Sequence, residues 1–183
     1  YNSTAIAVNF ADGDVTPKVI TVPIVNDSLV EPTETVNLAL ANPTGGATIG
    51  TQGTAILNIV DNDTPGTLQF SNPEFVVNEN GTPVLAVTVT RTGGSAGVVS
   101  TNVTLSDGTA TSPADYTNTP IPVTFADGDT APKVITIPIV NDTLVENNET
   151  VNLSLTPPTG GATLGTQSTA TLTILDDDVP LLK

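Results

Sequence analysis

Glu149-Thr-Val-Asn-Leu-Ser-Leu155 alternates between apolar and polar residues, and 115 residues earlier the pattern stands as Glu34-Thr-Val-Asn-Leu-Ala-Leu40. A period of two puts Val151, Leu153 and Leu155 on the inner face of a strand and Thr150, Asn152 and Ser154 on the outer face. Val36, Leu38 and Leu40 read the same way. Ala170-Thr-Leu-Thr-Ile174 repeats the logic with Ala170, Leu172 and Ile174, whose counterparts are Ala55, Leu57 and Ile59. The outward positions differ between copies (Ile56 against Thr171, Asn58 against Thr173), as solvent-facing positions can.

The same offset carries Phe10-Ala-Asp-Gly-Asp14 onto Phe125-Ala-Asp-Gly-Asp129 and holds from Tyr1/Tyr116 to Asp61-Asn-Asp63/Asp176-Asp-Asp178, with about two-thirds of positions identical. A period of 115 residues is the size of an independent domain rather than of a solenoid repeat. The chain therefore reads as part of a tandem array. Residues 64–178 make one complete unit, residues 1–63 match only the C-terminal half of another, and residues 179–183 read as a linker to a following unit.

Fifteen Gly, fifteen Pro and a Thr/Val-rich background oppose long helices and favour short strands. Further strands are expected at Thr67–Phe70, Glu74–Val77, Val84–Arg91, Ser100–Leu105, Pro122–Phe125 and Lys133–Val140. Asp127-Gly-Asp129 reads as a hairpin turn, with Asn80-Gly81 and Asp107-Gly108 as turn signals of the same kind. Pro138 predicts an edge position or a bulge. About seven strands per repeat describe an all-β, immunoglobulin-like antiparallel sandwich.

Nineteen acids face four bases (Lys18, Arg91, Lys133, Lys183), a formal net charge of −15. Nucleic acid and anionic membranes would be repelled. No apolar run reaches the 18 or more residues of a spanning helix, so direct membrane insertion is not expected. The start at Tyr1 and the lack of Met read as an excised or processed segment. Without Cys there is no disulfide or thiolate site, and without His or Cys there is no triad or thiol nucleophile. Gly160-Gly161 reads as a turn, and a Glu146/Glu149 pair lacks the aromatic-lined cleft of a glycosidase. The chain is not expected to be an enzyme. Aromatics at 3% also leave few platforms for stacking sugars.

The acids cluster at strand ends and loops: Glu79, Asp115, the Asn141-Asp142-Thr-Leu-Val-Glu146 segment and the Asp176-Asp177-Asp178 run. If these strand ends share one pole, several carboxylates converge there. A like-charge pair at 4 Å repels by roughly 1–4 kcal/mol between water-like and surface dielectrics. A hard cation relieves that cost, and mixed Asp, Glu, Asn and carbonyl oxygens suit Ca²⁺ better than octahedral Mg²⁺. Zinc and copper are poor candidates without His or Cys. No EF-hand spacing is present.

Asp115-Tyr116, Val123-Thr-Phe-Ala-Asp-Gly-Asp129, Ile139-Val-Asn-Asp-Thr-Leu-Val-Glu146, Glu149-Thr-Val-Asn-Leu153, Thr159-Gly-Gly-Ala-Thr-Leu-Gly165 and Ile174-Leu-Asp-Asp-Asp178 together resemble the Calx-beta domain. That domain occurs in sodium–calcium exchangers, in an integrin β subunit and in large extracellular bacterial proteins. The resemblance implies a seven-stranded immunoglobulin-like sandwich that binds several Ca²⁺ at one pole. It implies ligands Glu79, Asp115, Asp142, Glu146, Asp176, Asp177 and Asp178, with the backbone carbonyl of Leu144. Asn141 stands where calcium-binding members commonly have Asp. Seven carboxylates would neutralise three Ca²⁺ with one charge over. In the half unit Asn26, Asp27, Leu29, Glu31, Asp61, Asn62 and Asp63 match, and Asn62 in place of Asp implies weaker binding. Glu149 and Glu34 read equally as peripheral ligands and as solvated strand starts.

The expected function is a calcium-binding structural or adhesive segment of a large extracellular or cell-surface bacterial protein, with Ca²⁺ stiffening domain ends and junctions. Its expected partners are calcium ions and neighbouring repeats. The alternatives are a calcium-sensor regulatory module, a calcium-dependent sugar binder, and a filament subunit in which an identical chain completes residues 1–63 by strand addition.

Overall fold

The computed structural model describes residues 1–80 and 87–179. Its strands are β1 (Glu34–Ala39), β2 (Thr54–Ile59), β3 (Thr67–Phe70), β4 (Glu74–Asn78), β5 (Val87–Thr92), β6 (Val99–Asp107), β7 (Ile121–Phe125), β8 (Lys133–Ile135), β9 (Glu149–Leu155), β10 (Thr163–Leu164) and β11 (Thr169–Leu175). The fold is all-β, as the alternation predicts. From β3 onward the strands form a four-stranded sheet, β10-β3-β5-β8, and a five-stranded sheet, β4-β11-β9-β6-β7.

The two sheets share one apolar cluster, which includes Leu68, Phe70, Val89, Val103, Phe125, Val151, Leu153 and Leu172. Inward and outward positions alternate along β6, β9 and β11 as their sequences require. The pairing is not wholly antiparallel. β3 pairs β10 and β4 pairs β11 in parallel. The reason is local: the entering segment changes sheet at Ser71-Asn72-Pro73. Ser71 N–H still donates to Thr88 O at 2.9 Å in one sheet, and Pro73 O accepts Thr171 N–H at 2.9 Å in the other.

Three local expectations need correction. Asp127-Gly-Asp129 is a turn, closed by Asp129 N–H to Ala126 O at 3.0 Å, but it does not make a hairpin. It joins β7 to β8, whose partners are β6 and β5 in opposite sheets, because both strands must turn apolar residues to the same core. Asp107-Gly108 does stand between two antiparallel partners, β6 and β7, but it opens a long connection rather than a tight turn; a side chain at Gly108 would sit 2.4 Å from Thr150 O. The Lys133–Val140 run stops as a strand at Ile135. Pro138 cannot donate to a ladder, and Ile139 keeps only an isolated bridge to Tyr116. β8 is an edge strand, where that proline is tolerated. Of the expected Val84–Arg91 strand, Val84 to Ala86 lie outside the described residues, as do Gly81 of the Asn80-Gly81 signal and residues 180–183 of the expected linker.

In residues 1–63, β1 and β2 pair only with each other. Their sequence copies β9 and β11 are flanked by β6 and β4. The consequence shows residue by residue. Tyr1 is 54% exposed where Tyr116 is 0%, and Phe10 is 58% exposed where Phe125 is 0%. Leu40, expected inward, lies beyond the end of β1 and is exposed.

This difference sets a paired test. Leu153→Ala should cost about 2–5 kcal/mol in denaturant unfolding, because it opens a cavity in a closed core. Leu38→Ala, at the matching half-buried position, should cost clearly less. Equal costs would contradict the contrast between the two units.

Candidate metal centre

Two adjacent strands of one sheet deliver acidic residues to the same pole. β4 runs into Glu79, whose N–H continues the ladder to Leu175 O at 2.8 Å, and β11 runs into Asp176-Asp177-Asp178. Glu79 is buried, and its Oε1 accepts the Asp142 N–H at 3.1 Å, which ties the 141–146 loop to the strand end. The loop is shaped by its own carboxylate: Asp142 Oδ1 accepts Leu144 N–H at 2.6 Å. Asp176 Oδ1 accepts Asp178 N–H at 3.4 Å, so the final run also curls on itself.

Asp115 arrives from a different direction. Its neighbour Tyr116 is fully buried and donates its hydroxyl to Asp107 Oδ1 at 2.7 Å, and burial pushes that phenol up to about 12. Val140 N–H donates to Asp115 O at 2.9 Å, which sets Asp115 beside the start of the acidic loop. β9 begins at Glu149 on the same pole.

The structure gathers two carboxylate groups in which one oxygen from each residue lies within 4.8 Å of the others: Glu79, Asp142 and Asp178, and Asp115, Glu146 and Glu149. A recess lined by Glu79, Asp115, Glu146, Glu149 and Asp176 runs between them. Asp177 is turned aside, exposed, and accepts a hydrogen bond from Asn80 Nδ2 at 2.7 Å. Asn141 is exposed, with its Nδ2 3.5 Å from Asp142 O. Glu149 is the residue that strand reading alone leaves undecided. Its signal is its place three residues after Glu146, at the first position of a strand that enters this pole.

The electrostatics record the crowding. Burial raises Glu79 above the usual carboxylate range; the Asp142 N–H bond opposes this, and the charges of Asp142, Asp178 and Asp176 add to it. Burial also raises Glu146 and Asp178, with neighbouring carboxylates adding to both. Glu149 is pushed up to about 7 by burial, by the charge of Asp115 and by a hydrogen bond shared with it. Among the described residues, the two side-chain ion pairs are Lys18–Asp14 and Lys133–Asp129, both elsewhere. Asp178 Oδ2 is buried without a hydrogen-bond partner. An oxygen-only donor set, a surplus of negative charge and an unsatisfied buried carboxylate oxygen fit a hard divalent cation.

The half unit repeats the local turns. Asp27 Oδ1 accepts Leu29 N–H at 2.9 Å, Asp61 Oδ1 accepts Asp63 N–H at 3.2 Å, and Asp61 Oδ2 accepts Glu31 N–H at 3.0 Å. Asn26 Nδ2 reaches Asp27 O at 3.3 Å. Asp27 chiefly raises Glu31, and burial followed by Asp61 raises Asp63. Among the described residues, Asn26, Asp27, Leu29, Glu31, Asp61, Asn62 and Asp63 do not form a carboxylate group like the two above. The partners that Glu79 and Asp115 provide have no counterparts within residues 1–63.

The model of the Calx-beta domain family matches residues 1–63 and 61–178. The chain is 34% identical over 195 residues to the adhesion G-protein coupled receptor V1 of Danio rerio, covering 99% of this chain and 3% of that protein. It is 30% identical over 186 residues to the extracellular matrix organizing protein FRAS1 of Mus musculus, covering 97% of this chain and 5% of that protein. The chain thus spans a small fraction of these relatives. The crystal structure of the calcium binding domain CBD12 of CALX1.1 superposes with a TM-score of 0.56 at 28% identity, over 61% of this chain and 44% of that one.

The raised carboxyls fix the sign of a pH effect. Glu149 binds its proton more tightly folded, at about 7, than at its ordinary value of 4.5. Its contribution to metal-free stability is therefore present below pH about 4.5 and is lost as pH rises through about 7. Thermal melts in chelator should show a falling midpoint across that window. Glu149→Gln should flatten the fall, and an unchanged slope in that variant would contradict the assignment.

Proposed function

The chain belongs to the Calx-beta domain family, and on that footing we propose that it is a calcium-binding structural and adhesive segment of a larger extracellular protein. The observation that carries the reading is the pair of carboxylate groups, Glu79/Asp142/Asp178 and Asp115/Glu146/Glu149, gathered at one pole with no ion pair to a cationic side chain among the described residues. Relatives from an adhesion receptor and an extracellular matrix protein, and a structural neighbour described as a calcium binding domain, support the compartment and the ion.

Those two groups, with Asp176 between them, would hold Ca²⁺; Asp177 and the Leu144 carbonyl would complete the coordination from the rim. Bound calcium supplies positive charge that offsets the repulsion among the carboxylates. The chain's own residues do the rest. Glu79 fastens the 141–146 loop to β4 through the Asp142 N–H. Tyr116 holds Asp115 in place from the core. We take residues 64–178 as one repeat and residues 1–63 as the C-terminal half of another, so that Asp61–Asp63 stand at the junction between units. Residues 1–63 would bind more weakly, since Asn62 stands where the other copy has Asp177. The proposed role is mechanical.

A second reading follows from the apolar face of the half unit. Tyr1, Ile6, Val8 and Ile20 line an open groove against β1 and β2. Strands equivalent to β4 and β6, from an adjoining segment or from another chain, would close it. A concentration-dependent mass by sedimentation would favour completion by another chain.

Calorimetric titration with Ca²⁺ followed by chelator tests the main reading. Occupancy of one site at 100 times its Kd should stabilise the chain by about 2.7 kcal/mol, and tight binding at several sites by more. Small-angle scattering should show narrower dimensions with calcium. Unchanged melting midpoint and dimensions would overturn the proposal.

A further inference from the structure

We propose that Ser28 and Asp127 form a latch that fixes how one unit seats on the next. This deepens the repeat-array reading and rests on it for the meaning of the joint. Ser28 lies in the half unit between Asp27 and Leu29, and Asp127 lies in the turn between β7 and β8 of the complete unit. Ser28 Oγ donates to Asp127 Oδ2 at 2.7 Å across 99 residues of chain. The other carboxylate oxygen, Oδ1, accepts Gly97 N–H at 2.8 Å, so Asp127 bridges the two units. These bonds, that from Ser28 first, draw Asp127 below the usual carboxylate range.

The receiving surface is built to stay still. Arg91 is 2% exposed and, among the described residues, has no carboxylate ion-pair partner; its guanidinium donates instead to five backbone carbonyls. Four of them, Ala126, Asp129, Ala96 and Gly97, belong to the segments on either side of Asp127. The fifth, Pro65 at 2.8 Å, belongs to the connection between the units. Thr64 Oγ1 donates to Gly93 O at 2.9 Å, and Thr64 O accepts Ala96 N–H at 3.0 Å. The contact is close enough that a side chain at Gly94 would meet Thr64 O at 2.2 Å. One buried cation therefore holds both the connection and the loop that carries the latch.

The internal repeat argues that the pair matters. The copy of Ser28 is Thr143, which keeps the hydroxyl, and the copy of Asp127 is Asp12. About one-third of aligned positions differ between the copies, so a change that spares the hydroxyl is informative. The surface bearing Asp127 thus fits one class of partner, the Asn-Asp-Ser/Thr-Leu loop of another Calx-beta unit. The latch itself needs no metal, only a hydroxyl donor and a fixed carboxylate acceptor.

The full chain has no cysteine, so spin labels at Asn58→Cys and Ser106→Cys report the distance between units without background. In chelator the unsubstituted chain should give one narrow distance distribution. Ser28→Ala and Asp127→Ala should each broaden it by about two-fold, and Ser28→Thr should restore it. Circular dichroism should show the complete unit melting as before in all variants. A broad distribution in the unsubstituted chain, or a width that both alanine variants leave unchanged, would overturn the latch. The same measurements in saturating Ca²⁺ separate the two claims: no response to calcium would count against the metal reading alone, since the latch is judged in chelator.

Discussion

The structure depends on like charges being held together by strands that cannot let them go. Glu79 and Asp176 are the first residues beyond β4 and β11, two parallel neighbours whose alternate residues Phe75, Val77, Ala170, Leu172 and Ile174 pack the core. Separating the carboxylates would mean slipping one strand against the other, and a one-residue slip would turn Leu172 and Ile174 to solvent. The core thus imposes an electrostatic cost on the pole. The raised carboxyls of Glu79, Glu146, Glu149 and Asp178 are the protein's response when only protons are on hand.

The two ends of the complete unit solve opposite problems. At the acidic pole an excess of oxygen donors faces a deficit of positive charge. At the other end Arg91 places a buried positive charge among carbonyl oxygens, and fixes the turn and the connection together. Lys133 pairs with Asp129 there and lies 5.4 Å from the Phe125 ring, an arrangement that Lys18 repeats with Asp14 and, at 5.5 Å, with Phe10. Residues 1–63 keep these local devices while Tyr1 and Phe10 stand exposed. Turns and ion pairs between residues close in sequence survive the lack of flanking strands; burial of Tyr1 and Phe10 does not.

Much of the fold is legible in the sequence because period-two alternation names the buried side of each strand directly. Val151, Leu153, Leu155, Ala170, Leu172 and Ile174 are all buried. Alternation carries no information on which sheet a strand joins, which is why Asp127-Gly-Asp129 reads as a hairpin although it spans the two sheets. It also misjudges Leu40, whose inward direction has value only beside strands that residues 1–63 lack. At the pole, the acidic loops are legible from their density and repetition, but their grouping is not. The turn of Asp177 toward Asn80 and the approach of Glu149 to Asp115 come from the packing of β9, β11 and the 141–146 loop, which no local pattern encodes. The role of Arg91 is hidden for the same reason, since its five acceptors are scattered from Pro65 to Asp129.

The most direct test is a crystal structure of the chain grown with calcium and measured for anomalous scattering. Anomalous peaks are expected between Glu79, Asp142 and Asp178 and between Asp115, Glu146 and Glu149, each ringed by carboxylate oxygens at roughly 2.3–2.6 Å. Carboxylates pointing apart, with water alone between them and no anomalous signal, would contradict it.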